Sequence, residues 1–203
     1  MKKLVLVGLA AIALAACGNG EESQDSNSNT VQEQTEQKET KNDKGTRSNP
    51  YTLNDEIELS ISYSNTNSDN TESADGKLKV NFNNIKTGDE AQEFLSSENQ
   101  FNEEAPEGYQ WMVINTSAEL LEGSEDFEYD VYLTEEIYDG KGNSVDNTQA
   151  IASTSNQLSD NSIFPGATAE GDISLLVPKD LDGAMMQLSN LGGGDTVWIS
   201  LEQ

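Results

Sequence analysis

The sequence predicts a mainly β protein: an immunoglobulin-like antiparallel β-sandwich with one short helix, preceded by a signal peptide and a disordered tether. Three observations carry this reading. From Arg47 onward, about seven short segments alternate apolar with polar residues and are separated by turn signals. One stretch alone has helical spacing. Before Arg47, large apolar residues are confined to one N-terminal run and Val31.

The leader comes first. Lys2 and Lys3 precede an apolar run from Leu4 to Leu14, followed by Ala15 and Ala16, with no acidic residue. A charged start, a short apolar stretch and small residues at its end define a secretory signal over residues 1–16. Even extended to Ala16, the run is shorter than the roughly 20 residues that span a hydrocarbon core. The sequence Leu14-Ala15-Ala16-Cys17-Gly18 resembles the lipobox of bacterial lipoproteins. That resemblance implies a diacylglyceryl group on the sulfur of Cys17, cleavage on its N-terminal side, and a protein held on the outer face of the bacterial cell membrane. Two acyl chains meet the two-signal requirement for stable anchoring. Residues 17–46 are the lipidated Cys and a polar tether, too poor in apolar surface to offset the entropy of ordering. A flexible chain of this length reaches on the order of 30 Å, from about 5–6 Å times the square root of the residue number.

The folded domain is expected over residues 47–203. Ile57, Leu59, Ile61 and Tyr63 alternate with Glu58, Ser60 and Ser62, the period of a half-buried strand. Asn65 to Gly76 reads as a polar loop. Leu78, Val80 and Phe82 make a second strand that can extend to Ile85. A helix follows from Glu90 to Ser97, with Asp89 as its cap, Gln92 completing a capping box, and Ala91, Phe94 and Leu95 on the face turned to a sheet edge. Tyr109, Trp111 and Val113 on one face, with Met112 and Ile114 on the other, mark a central strand covered on both sides. Trp111 is expected inside the sandwich. Phe127, Tyr129, Val131 and Leu133 form the next strand, closed by turn chemistry at Asp139-Gly140-Lys141-Gly142-Asn143. Ile173 to Val177, stopped by Pro178, and Val197, Ile199 and Leu201 end the set, with Trp198 facing out. A domain of this size can bury a core without disulfide or metal.

The order of these segments carries a wider resemblance. It rests on Arg47-Ser48-Asn49-Pro50-Tyr51, Gly88-Asp89-Glu90-Ala91, Asn99-Gln100-Phe101-Asn102 and Pro106-Glu107-Gly108-Tyr109. It continues with Asp139-Gly140-Lys141-Gly142, Phe164-Pro165-Gly166, Glu170-Gly171 and Leu176-Val177-Pro178-Lys179-Asp180. Together they resemble a Firmicutes lipoprotein family of unknown function with a telokin-like, immunoglobulin-type extracellular domain, similar in fold to a mycobacterial secreted immunoprotective antigen. The resemblance supplies no catalytic or ligand residues.

Composition then narrows the function. Against 37 Asp and Glu stand 11 Lys and Arg, a net charge of −26, which argues against nucleic acid because counterion displacement needs clustered cations. The chain has no His, which removes imidazole bases and His-ligated metal sites, and its single Cys rules out an internal disulfide. Acidic clusters at Asp55-Glu56, Glu125-Asp126-Glu128 and Asp180 with Asp182 hold the ligand type calcium takes. In so acidic a chain the reading adopted is solvated charge, with no metal or cofactor. No carboxylate spacing singles out a glycosidase pair, and the Ser residues lack a base. The expectation is a non-enzymatic binding or interaction module, anchored at Cys17, whose ligand is a protein or an envelope polymer. The alternatives are an envelope-maintenance accessory with a solubilising acidic surface and a weak calcium-binding surface domain.

Overall fold

The computed structural model describes residues 43–65 and 72–202. The leader, Cys17 and the tether up to residue 42 lie outside the described residues. Alternation in the sequence becomes two faces of a sheet. Strand β2 (Ile57–Ser64) buries Ile57, Leu59, Ile61 and Tyr63 and turns Glu58 and Ser60 to solvent. It pairs antiparallel with β3 (Ser73–Thr87), β3 with β4 (Tyr109–Glu122), and β4 with β8 (Thr168–Pro178), giving a first sheet in the order β2-β3-β4-β8. The second sheet has the order β1-β10-β9-β6, from β1 (Tyr51–Thr52), β6 (Leu133–Tyr138), β9 (Met185–Asn190) and β10 (Thr196–Ser200). A two-stranded ribbon joins β5 (Tyr129–Asp130) to β7 (Ser162–Ile163).

The main core lies between the sheets. Ile57, Leu59, Leu78, Val80, Met112, Ile114, Leu120, Met186, Leu188 and Ile199 are buried there. Strand β3 keeps its apolar residues inward by a bulge: Phe82 faces Thr116 and Ile85 faces Ile114, so one extra residue resets the alternation.

A smaller cluster covers the outer face of the first sheet. Helix α1 (Gly88–Glu98) lays Ala91 and Leu95 on Trp111, Val113 and Leu176. Trp111 is 3% exposed, but it lies beneath this helix and not between the sheets. The expected placement was wrong because β4 has two apolar faces, and Met112 and Ile114 take the interior. The helix therefore packs on the central strand, not at a sheet edge. The Asp89–Gln92 capping box is also corrected: Thr87 is the cap residue without a side-chain bond, and Gln92 Oε1 instead accepts from Ala105 N at 3.2 Å. That bond, with Trp111 Nε1 donating to Glu103 O at 3.0 Å, holds the 99–105 segment over the indole.

Other expectations shift in smaller ways. The fold takes in residues ahead of Arg47: Gly45 is buried, and Trp198 N donates to Gly45 O at 2.8 Å. Trp198 is half-buried, not outward, with Tyr138 beside its ring at 5.1 Å and the Arg47 guanidinium 5.5 Å from it. The polar loop is shorter, since Ser73 to Gly76 already pair with β2. The run from Phe127 to Leu133 breaks at Val131 and Tyr132, because β5 pairs with β7 while β6 joins β9. Strand β9 is absent from the sequence reading, although it fills an interior place in the second sheet.

The β2 edge of the first sheet is closed by the loop between β9 and β10. Ser62 N donates to Gly193 O at 3.0 Å, Asp195 N to Ser60 O at 2.7 Å, and Ser60 N to Asp195 Oδ2 at 2.8 Å. Only glycine permits this approach: a Cβ at Gly192 would stand 2.1 Å from Ser62 O, and one at Gly194 2.0 Å from Ser60 O.

Two outcomes follow for stability. Gly194→Ala, which adds a clash to a left-handed φ of 119°, should cost more than Gly193→Ala, whose open position pays only about 1–2 kcal/mol of backbone strain; urea melts of both variants measure the difference. Trp111→Ala should lower stability by about 3–5 kcal/mol and expose α1 amides to hydrogen exchange before the strands, in line with its place in the outer cluster.

Candidate functional site

Several acidic side chains here tie loops. Asp55 accepts from Thr52 N at 2.7 Å and from its hydroxyl, and pairs with Lys44 at 3.1 Å; these bonds, the backbone one foremost, hold its pKa below the usual range. Asp139 accepts from Lys141 N and Asn143 N in the expected turn, with Asn143 Nδ2 added, and its pKa is likewise lowered, chiefly by Asn143. Asp180 Oδ1 accepts from Asp182 N at 3.2 Å. Glu98 accepts from Ser155 N and its hydroxyl, which lower its pKa. Among the described residues, no three acidic or Cys side chains converge in a way that could hold a metal ion. Asp55-Glu56, Glu125-Asp126-Glu128 and Asp180 with Asp182 thus stay separate, each cluster on its own loop.

Glu135 is the exception. In β6 the inward positions are Leu133, Glu135 and Ile137, and Glu135 pairs across the ladder with buried Leu188 of β9. A carboxylate therefore occupies a core-facing place in an edge strand. It is half-buried, and desolvation pushes its pKa up to about 7, offset only in part by its own backbone N–H. None of the ion pairs among the described residues involves it.

The surroundings explain why an acid is tolerated there. At the β8 edge the sheets are not stapled as they are at β2. Residues 147–161, with short 3-10 turns at Asn147–Gln149 and Leu158–Asp160, run across the gap instead. Their backbone meets β8 at one point, where Asp172 N donates to Asn156 O at 2.7 Å; Gly171 leaves room for Leu158 there, since a Cβ would lie 2.5 Å from Leu158 N. On either side of Glu135, Ala152 and Ser174 two basins open. The larger, about 360 Å³, has walls from Ile137, Ala150, Ile151 and Leu176. The smaller, about 180 Å³, continues toward Leu158 and Asp172. Thr154, in the crossing segment, has a buried hydroxyl without a partner among the described residues.

In the other hollows several of the lining polar groups already have partners. Near Tyr63 and Tyr129, a hollow of about 190 Å³ is bordered by the stapling loop, and both phenols are bonded, to Ser124 N and Asn190 Oδ1. Beside α1, Gln92 and Gln110 serve Ala105 N and the carbonyls of Pro178 and Lys179. The groove at Glu135 differs from these in that burial of its charged group raises that group's pKa. The sequence reading did not name it. The signal was present: continuing the alternation of Tyr129, Val131 and Leu133 lands on Glu135.

An antiparallel β-sandwich with one stapled edge and one grooved edge is the class of protein this fold and site define. The chain belongs to the family described as "Domain of unknown function (DUF4352)", whose profile matches residues 68–197. It is similar to an uncharacterized β-sandwich protein from Clostridium difficile 630, at 15% identity over 73% of this chain and 91% of that one, with a TM-score of 0.36. No curated protein matches the sequence.

Glu135→Gln is expected to stabilise the protein above neutral pH. A carboxyl whose folded pKa is raised binds its proton more tightly folded than unfolded, so stability falls as pH rises from about 4.5 to about 7. The charged form costs on the order of 2 kcal/mol after allowance for the open groove. Urea melts at pH 5 and pH 8 should show the variant gaining at pH 8 and matching wild type at pH 5.

Proposed function

We propose that this protein is a lipid-anchored, extracytoplasmic, non-catalytic binding module, of the telokin-like lipoprotein kind known from Firmicutes, held on the outer face of the cell membrane by Cys17. The observation that carries the binding role is the groove at the β6–β8 edge. It joins apolar walls to one carboxylate kept there against the interest of stability, a combination typical of recognition sites. Catalysis is disfavoured by what stands around Glu135: no His exists in the chain, and the groove brings it no nucleophile–base pair. The anchor rests on the lipobox-like Leu14-Ala15-Ala16-Cys17 after an apolar leader. The ligand is a protein or envelope polymer, and the acidic surface disfavours nucleic acid.

The reading is tested in cells. Cys17→Ala should shift the processed protein from the membrane to the soluble fraction, with mass spectrometry separating it from uncut precursor. A photo-crosslinking residue at Ile151, 72% exposed on the lip of the larger basin, should give a defined adduct. The same residue at Asn83, on the β3 bulge, should not. Equal adducts from both positions would remove the groove as the binding surface.

A further inference from the structure

We infer that the groove beside Glu135 takes the primary ammonium group of a lysine side chain, presented by an extended peptide laid along the β8 edge. The inference rests on the binding-module reading and names the ligand class of that site.

Three features point to this ligand. The larger basin is lined by Ile137, Ala150, Ile151, Ala152 and Leu176, which suit an alkyl arm, and its one charged group is Glu135. The remaining polar lining is Asn147, Thr148 and Ser174, oxygen-bearing side chains fit to share the donors of a compact ammonium. A guanidinium would bring five N–H groups to one carboxylate, and each donor left unpaired costs affinity.

The edge supplies the peptide. Among the described residues, β8 has β4 as its only strand partner and meets the crossing segment by a bridge at Asp172. From Ser174 to Leu176, alternate residues turn N–H and C=O groups away from β4, and these can pair with an added strand. A strand placed there has Glu135 beneath it, because Ser174 and Glu135 border the same basin.

Charge and solvation agree with the assignment. The protein carries −26 overall, which draws cations toward it. The titratable groups on the elements packed around Glu135 are all acidic save Tyr138: Glu136 and Tyr138 on β6, Glu170 and Asp172 on β8, and Asp160 in the crossing segment, while β9 has none. Asp172 lines the smaller basin and accepts from Asn115 Nδ2 at 3.2 Å. Burial that favours the protonated acid makes binding dependent on pH: an arriving ammonium selects the carboxylate, so affinity rises as pH increases through about 7.

The test is calorimetry on the full chain with a blocked pentapeptide, one lysine flanked by glycines. Binding is expected at pH 8 and should weaken at pH 6. Replacing the lysine by Nε-acetyl-lysine, norleucine or arginine should each reduce affinity about tenfold or more. Glu135→Gln should cause a similar loss while remaining folded, and Glu136→Gln, on the opposite face of β6, should bind as wild type. The inference is overturned by an absence of lysine-peptide binding, by undiminished binding of the acetyl-lysine or arginine peptide, or by undiminished binding to Glu135→Gln. If Ile151 still cross-links a partner after any of these results, the binding module stands and only the ligand class falls. If no adduct forms either, both readings fall.

Discussion

The side-chain amide of Asn190 is the interaction on which the arrangement of the two sheets depends. It ends β9 in the second sheet, is buried, and reaches three separate parts of the chain. Its oxygen accepts from the Tyr129 hydroxyl at 2.8 Å, and its nitrogen donates to Ser62 O at 2.7 Å and Gly193 O at 3.2 Å. One residue thus binds the second sheet to the edge of the first, to the glycine loop and to the aromatic group of Tyr63, Phe127 and Tyr129. Burial raises the Tyr129 pKa and keeps its phenol a donor. An amide in a dry place is tolerated when its bonds are made, and strongly penalised when one is lost.

Closing one edge defines the other. With the glycine loop drawn onto β2, the gap between β6 and β8 is bridged by a crossing segment held by backbone bonds, Glu103 N to Ile151 O among them, and by side chains: Asn102 exchanges bonds with Ser153, and Glu103 and Glu98 accept from Ile151 N and Ser155 N. Five acids with shifted pKa values divide into two groups with opposite pH behaviour. Asp55, Asp139, Asp146 and Glu98 have lowered pKa values, and their support is present above the unfolded carboxylate range and lost as pH falls through the folded values. Glu135, with its raised pKa, opposes folding once ionised.

Local periodicity made much of this fold legible, and each of its failures has its own cause. Strands with one wet face, such as β2, were readable because period two separates their faces. Strand β4 was identified, but two apolar faces left Trp111 ambiguous, and the choice belonged to Met112 and Ile114. The capping box at Asp89 and Gln92 failed because Gln92 found a better use at Ala105 N, a contact that short-range reasoning cannot see. Strand β9 was missed behind Gly183 and ahead of three glycines, although Ala184, Met186 and Leu188 alternate. Glu135 escaped notice because an acidic chain makes every Glu look like surface, and only the continued count along the strand reveals the odd position.

The parallel pairing of β1 with β10 has a mechanical consequence. The polypeptide enters the fold at Asp43 to Asn49 and reaches the second sheet at β1, one border of the order β1-β10-β9-β6, while Glu135 occupies the other. A pull between the N-terminal segment and anything seated in the groove is therefore carried laterally through three ladders of backbone bonds. The shortest of them, Tyr51 with Ile199 and Thr52 with Ser200, is the one nearest the load. It is backed by Gly45 O on Trp198 N and by Lys44 on Asp55. Under tension this border should peel first, while the groove and its main core stay intact.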